Sequence, residues 1–149
     1  MPSPSIHASA VLVGARAVLI QGPSGSGKSQ LALALLEAAR SGTLPFARLV
    51  ADDRAEIEAL HGRLLVRPAP ALAGMIEVRG VGIRRVPHEA VAVVGLLVDL
   101  AAADAARMPE SAGQNREIEG ITLPRLAAAA GQDASRLVLS YLQTPDAAC

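Results

Sequence analysis

At 149 residues, with 51% hydrophobic and 19% charged side chains, the chain is long enough to bury one real core and too short for two domains of ordinary size. A formal net charge of +0 removes any global electrostatic case for nucleic acid, and with Phe46 and Tyr141 as its aromatics it offers single-stranded bases almost nothing to stack on. The longest apolar run, 90–103 with Gly95 and Asp99 inside it, falls short of the roughly 20 residues of a membrane span. The opening Met1-Pro2-Ser3-Pro4 lacks the basic and apolar regions of a signal peptide, and the one cysteine, Cys149, cannot pair internally. A single cytoplasmic unit over 1–149 with an aliphatic core is the expectation.

Residues 6–13 alternate small, polar and apolar side chains, and Gly14-Ala15-Arg16 separates them from 17–21, which predicts a hairpin. Antiparallel pairing would carry His7 alongside Gly22. A lone histidine is by default a surface or capping residue, so the pattern leaves both readings open. The apolar Val18-Leu19-Ile20 then runs into Gly22-Pro23-Ser24-Gly25-Ser26-Gly27-Lys28-Ser29, which fits the phosphate-binding pattern of Gly, four residues and Gly-Lys-Ser/Thr. Glycines let successive backbone N–H groups turn inward, and the following helix aims its positive end at the same anion. Lys28 adds a cation for the β- and γ-phosphates, and Ser29 offers a hydroxyl to Mg²⁺.

From Lys28 to Arg40, Leu31, Leu35 and Leu36 among alanines predict a largely buried helix, stopped by Gly42 and Pro45. A short strand over 46–51 closes in Asp52-Asp53. Carboxylates at such a strand end, downstream of a phosphate loop, suit metal binding or proton transfer, and a solvated turn is the plain alternative. Residues 55–60 and 64–66 around His61-Gly62-Arg63 read as a second hairpin, with Pro68 and Pro70 breaking the chain after it. Met75 to Ile83 alternates like one strand, with Glu77 and Arg79 on a shared face, either a solvated charge pair or a functional one. Arg84 to His88 reads as a basic loop and 91–100 as a buried strand. The Ala-rich stretch after it carries Arg107 on a loop. A strand over 118–121, a helix over 123–130 ended by Gly131, a short element over 135–141 and a frayed tail over 143–149 complete the reading.

With these residues in place, the chain resembles the catalytic domain of HPr kinase/phosphorylase. The resemblance rests on His7-Ala8-Ser9, the loop Gly22 to Ser29, Leu49-Val50-Ala51-Asp52-Asp53, and above all Met75-Ile76-Glu77-Val78-Arg79-Gly80-Val81-Gly82-Ile83, which is similar to the family's signature segment. It implies an α/β fold: a P-loop domain with a mixed sheet, similar to the nucleotide-binding core of phosphoenolpyruvate carboxykinase. It implies an ATP- and Mg²⁺-dependent protein serine kinase acting on a HPr-type phosphocarrier, with no nucleic-acid or membrane partner. His7, Lys28, Asp52 and Arg107 match catalytic positions, Asp52 as the proton acceptor. Gly22, Pro23, Ser24, Gly25, Ser26, Gly27, Lys28 and Ser29 match the nucleotide cradle. Ser29 and Glu77 match Mg²⁺ ligands, Asp53 supports the metal or orients its neighbour, and Arg79 lies in the signature segment. The family's N-terminal domain is absent, and the link from helix to Asp52 is longer by Thr43 to Phe46. Of the family's C-terminal region only Leu123-Pro124-Arg125 is a possible remnant. The resemblance implies a homo-oligomer, while these departures count against the family's hexamer and its phosphorylase activity. A nucleotide-sensing module without turnover is the alternative they motivate.

Overall fold

A computed structural model describes residues 4–144. In chain order the elements are β1 (Ser5–Ile6), β2 (Ala8–Val13), β3 (Arg16–Gln21), α1 (Lys28–Arg40), β4 (Ala47–Ala51), β5 (Ala55–Leu60), β6 (Arg63–Pro68), β7 (Met75–Val78), β8 (Gly82–Arg85), β9 (Ala92–Asp99), β10 (Asn115–Ile118), β11 (Ile121–Ala127) and α2 (Ala134–Gln143). The main sheet runs β1-β5-β6-β9-β3-β2-β4, with β11 added beside β9 and β10 beside β11. It is mixed, because β3 and β11 both run parallel to β9 and the other pairs are antiparallel. The β7–β8 hairpin forms a separate two-stranded sheet.

The run Ala92-Val93-Val94-Gly95-Leu96-Leu97-Val98 makes β9 the centre, since a strand covered on both faces needs continuous apolar side chains rather than alternation. Gly95 is required there, because a Cβ would stand 2.7 Å from Cβ of Arg16. On β3, Val18 and Ile20 point toward α1, where they meet Leu31, Leu35 and Leu36. Ala17 and Leu19 face a second cluster with Ile57, Leu64 and Val66. The sheet curls so that β5 and β6 approach β2 and β4 and enclose this second cluster. Each fully buried leucine contributes about 1.5–3 kcal/mol. Neither cluster contains an aromatic residue. Among the described residues no helix is long and apolar enough to cross a membrane.

Helix α1 occupies the predicted span, and the β2–β3 and β5–β6 hairpins form as expected, the latter through His61 and Gly62 at φ 51 and 76. Several expectations are corrected. The strand expected over 6–13 is divided at His7, because Ile6 pairs with Ala55 while Ala8 pairs with Gln21. Strand β6 runs two residues past the expected 64–66 to take in Pro68, opposite Ala55 at the strand end, a position where its missing N–H is tolerated. Residues 75–83 fold back as a hairpin about Arg79-Gly80-Val81, so Arg79 stands in the turn and shares no strand face with Glu77. Arg84 and Arg85 belong to β8 and not to a loop. Residues 115–127 form a hairpin about Glu119-Gly120, and β11 replaces the helix expected over 123–130. The parallel ladder to β9 overrides the helical propensity of its leucines and alanines. Gln143 ends α2 and donates to the Thr43 carbonyl at 2.9 Å, so it is anchored; residues 145–149 of the expected tail lie outside the described residues.

Candidate active site

Strand β3, paired on both sides, delivers Gly22 to the edge of the sheet, and the loop 22–27 turns the chain into α1. Gly22 sits so close to Ser26 and Leu100 that any Cβ would collide with the Ser26 hydroxyl and stand 3.0 Å from Cβ of Leu100. Gly27 caps α1 at φ 102 without a side-chain hydrogen bond, and no acidic residue occupies the first turn. The first N–H groups of the helix therefore keep their positive field for an external anion. Lys28 is buried and curls back over the loop, its Nζ donating to the carbonyls of Gly22 at 3.0 Å and Pro23 at 3.3 Å. Ser26 Oγ is buried and has no hydrogen-bond partner among the described residues, a hydroxyl available to a phosphate or another ligand.

At the end of β4 the two adjacent aspartates separate sharply. Asp52 is buried: its Oδ1 accepts from Ser29 Oγ at 2.6 Å and Ser9 Oγ at 2.8 Å, and its Oδ2 from the Glu77 N–H at 3.0 Å. Asp53 adopts φ 66, is exposed, and receives at its own N–H the Ser9 hydroxyl oxygen as acceptor at 3.1 Å. The left-handed backbone, uncommon for a residue with a Cβ, turns the Asp53 side chain away from the Asp52 network. A Ser29 hydroxyl that donates to Asp52 leaves its lone pairs free for a cation.

A cavity of about 220 Å³ in front of the loop is lined by Ser24, Lys28, Ser29, Asp53, Glu77 and Arg79, with Gly25, Gly27 and Gln30. The chain thus brings together four of the charged positions singled out from sequence, from three separate segments. Asp52 is the floor behind Ser29 and not part of the lining. Hard oxygen donors from Ser29 and Glu77 around one space, with the Asp53 carboxylate beside them, fit magnesium, which takes one or two protein groups and completes its shell with phosphate and water. Among the described residues no three His, Cys, Asp or Glu side chains converge to cage an ion by themselves.

His7 and Arg107 do not line this cavity. His7 is exposed one residue before the Ala8–Gln21 pair, so its backbone flanks Gly22 as the hairpin requires. Arg107 is exposed and lines a different cavity of about 450 Å³ with Asp104, Glu110 and Arg125.

Sequence reasoning named Ser9 only within His7-Ala8-Ser9 and gave it no role; its place on β2 opposite Ile20, beside the end of β4, is what brings it to Asp52. It also missed the role of Arg125. Buried on β11, Arg125 donates to Asp99, to both oxygens of Asp104 and to the Gly113 carbonyl. The hydrogen bonds from Arg125 hold the Asp104 carboxyl below the usual carboxylate range, and those carboxylates in turn raise the guanidinium.

A family model described as HPr Serine kinase C-terminal domain matches residues 1–126. An HPr kinase/phosphorylase of Clostridium tetani is 40% identical over 86 residues, 58% of this chain and 26% of that protein. One from Streptococcus thermophilus is 44% identical over 80 residues, 53% of this chain and 24% of that protein. The matched stretch is about a quarter of the length of these relatives. Among solved structures, the Hpr(Ser) kinase/phosphatase from Coxiella burnetii superimposes with a TM-score of 0.73 over 94% of each chain at 24% identity, which establishes the shared fold. With 126 of 149 residues under the family model, the chain belongs to the HPr serine kinase C-terminal domain family.

Proposed function

We propose that this chain is a P-loop protein serine kinase of the cytoplasm that transfers the γ-phosphate of ATP, with Mg²⁺, to a serine of a HPr-type phosphocarrier, from a core similar to that of phosphoenolpyruvate carboxykinase. The observation that carries the reading is the convergence of Lys28, Ser29, Asp53, Glu77 and Arg79 on one cavity at the mouth of the loop. Phosphoryl transfer asks the protein mainly for positioning and charge stabilisation. Loop amides and Lys28 hold the phosphates, and Ser29 with Glu77 holds the metal. Magnesium held by these residues would supply positive charge to offset that of the phosphates.

The two aspartates divide the remaining work, and here the reading departs from the resemblance. Asp53, exposed in the cavity, accepts the proton of the serine hydroxyl as its oxygen bonds to the γ-phosphorus and the bond to the β–γ bridging oxygen breaks, releasing ADP. Asp52, held by three donors, orients Ser29. His7 and Arg79 lie beside the loop and at the cavity rim, where they can meet the incoming protein; Arg107 belongs to a separate surface. The reverse reaction would use the same Asp53 as a proton donor.

The test is transfer of labelled phosphate to a panel of phosphocarriers, each with its serine replaced in a control. Asp53→Asn should abolish transfer while ATP affinity stays within about threefold, a difference under 1 kcal/mol. Asp52→Asn should weaken Mg²⁺-dependent nucleotide binding itself. If the wild-type chain binds ATP tightly and labels no carrier, the sensor reading replaces the kinase. If Asp53→Asn transfers normally, the division of roles is wrong.

A further inference from the structure

The phosphate loop has a second side. Opposite Asp53 and Glu77, Ser26, Gly27 and Gln30 form the wall of another cavity of about 210 Å³, closed by Leu31 and Ala34 of α1, by Leu100-Ala101 after β9, and by the segment 129–135 that leads into α2. We propose that this cavity holds the nucleoside half of the bound nucleotide, an inference that rests on the reading that its phosphates lie in the loop.

Continuity is the first support. Gly27 and Gln30 line both cavities, so a nucleoside triphosphate with its terminal phosphate beside Asp53 crosses the glycine and reaches Ala34 and Leu100 without leaving the protein surface. The second is the lining. Leu31, Ala34, Leu100 and Ala129 are apolar, and between them stand a few polar groups of the kind that orient a ligand. Ser26 Oγ is buried and has no partner among the described residues. The Gln132 oxygen is already engaged by the Ala129 N–H at 2.9 Å, which leaves its amide N–H groups as donors, and Gln30 presents an exposed amide.

The third support is backbone strain. Ala101, at the cavity wall, has φ 54, a left-handed conformation that a residue with a Cβ adopts only when its surroundings impose it. Hydrogen bonds from Leu100 N to Gln21 O at 2.8 Å and from Ala102 N to Ala128 O at 2.9 Å hold it on both sides. The result presses Leu100 against Gly22, so the wall of this cavity and the start of the phosphate loop are set by the same contact.

Charge decides which half of the nucleotide goes where. The N-terminus of α2 also opens on this cavity, but Asp133 occupies it, accepting from Ser135 N at 3.1 Å and Arg136 N at 3.3 Å. The Ser135 hydroxyl, donating to the same carboxylate at 2.6 Å, and the Arg136 N–H hold the Asp133 carboxyl below the usual range. A carboxylate already fills the place of an anion, so phosphate is repelled here and drawn to the uncapped α1 end instead, leaving this space to the uncharged half. With neither Phe46 nor Tyr141 in the lining, the base lies against aliphatic walls and is read by the Gln30 and Gln132 amides without aromatic stacking.

Calorimetric titration of the full chain with ATP and with inorganic tripolyphosphate, both with Mg²⁺, tests this. Ala34→Leu and Ala129→Leu fill the cavity from opposite walls without touching the loop, and far-UV circular dichroism checks that each variant is folded. Both should weaken ATP about tenfold or more while tripolyphosphate stays within about twofold. Gln132→Ala, the mildest change, should weaken ATP alone by a smaller factor. ATP that binds wild type and all three variants equally overturns the nucleoside site and leaves the kinase reading standing. ATP and tripolyphosphate weakened in step also overturn it, since the cavity would then act only through the loop. If neither ligand binds wild type, both readings fall.

Discussion

Two carboxylates adjacent in sequence have opposite surroundings here: Asp52 is 7% exposed and holds two serine hydroxyls, while Asp53 opens onto the cavity. Sequence marks the pair and cannot rank its members, because which one is buried depends on the pairing of β2 with β4 and on the left-handed turn at Asp53. The loop itself was legible, since its glycines and lysine act through local backbone geometry. At Gly22 that geometry leaves no room for a methyl group. Gly22→Ala should cost about 1–3 kcal/mol of stability through overpacking against Ser26 and Leu100 and should weaken ATP binding, read by thermal unfolding and titration. Unchanged affinity would show that the loop can shift to accommodate a side chain.

Among the elements, α1 was readable end to end because leucine spacing, alanine content and the Gly42 stop agree. The 75–83 segment was not. Two four-residue strands and the turn between them alternate as one strand would, and only pairing of Met75 with Arg85 and Glu77 with Ile83 distinguishes them. Strand β11 was misread for a related reason: its partner β9 lies far back in the chain, and local propensity carries no record of it. Leu35 of α1, fully buried between the helix and the sheet, is the sharpest probe of what the helix contributes. Leu35→Ala should destabilise the chain by about 2–5 kcal/mol, measured by urea unfolding. A loss well below that range would mean that the helix repacks on the sheet.

On the scale of the whole molecule, Arg125 ties β11, the end of β9 and the 101–114 connection into one unit. Asp104 is the pH-sensitive member. Its carboxyl titrates below the ordinary aspartate value, so its contribution is complete at neutral pH and is lost only as pH falls through the lowered folded value. Asp104→Asn should therefore lower stability at pH 7, and the gap to wild type should close in strongly acidic buffer, as followed by thermal unfolding across pH. A gap that persists unchanged to the lowest pH would assign the effect to hydrogen-bond geometry instead of charge. The mixed architecture was legible from the hairpin before the loop. The curl that encloses a second core was not, because β5 and β6 meet β2 and β4 only in three dimensions.

The aliphatic packing on both faces of the sheet has an optical consequence. The chain contains no tryptophan, and its lone tyrosine, Tyr141, is 44% exposed on α2. The protein is therefore nearly silent in near-ultraviolet emission. An indole introduced at Ala134, on the wall beside the phosphate loop, would be the sole strong fluorophore, and changes in its intensity or wavelength would report on that wall alone, free of background from the core.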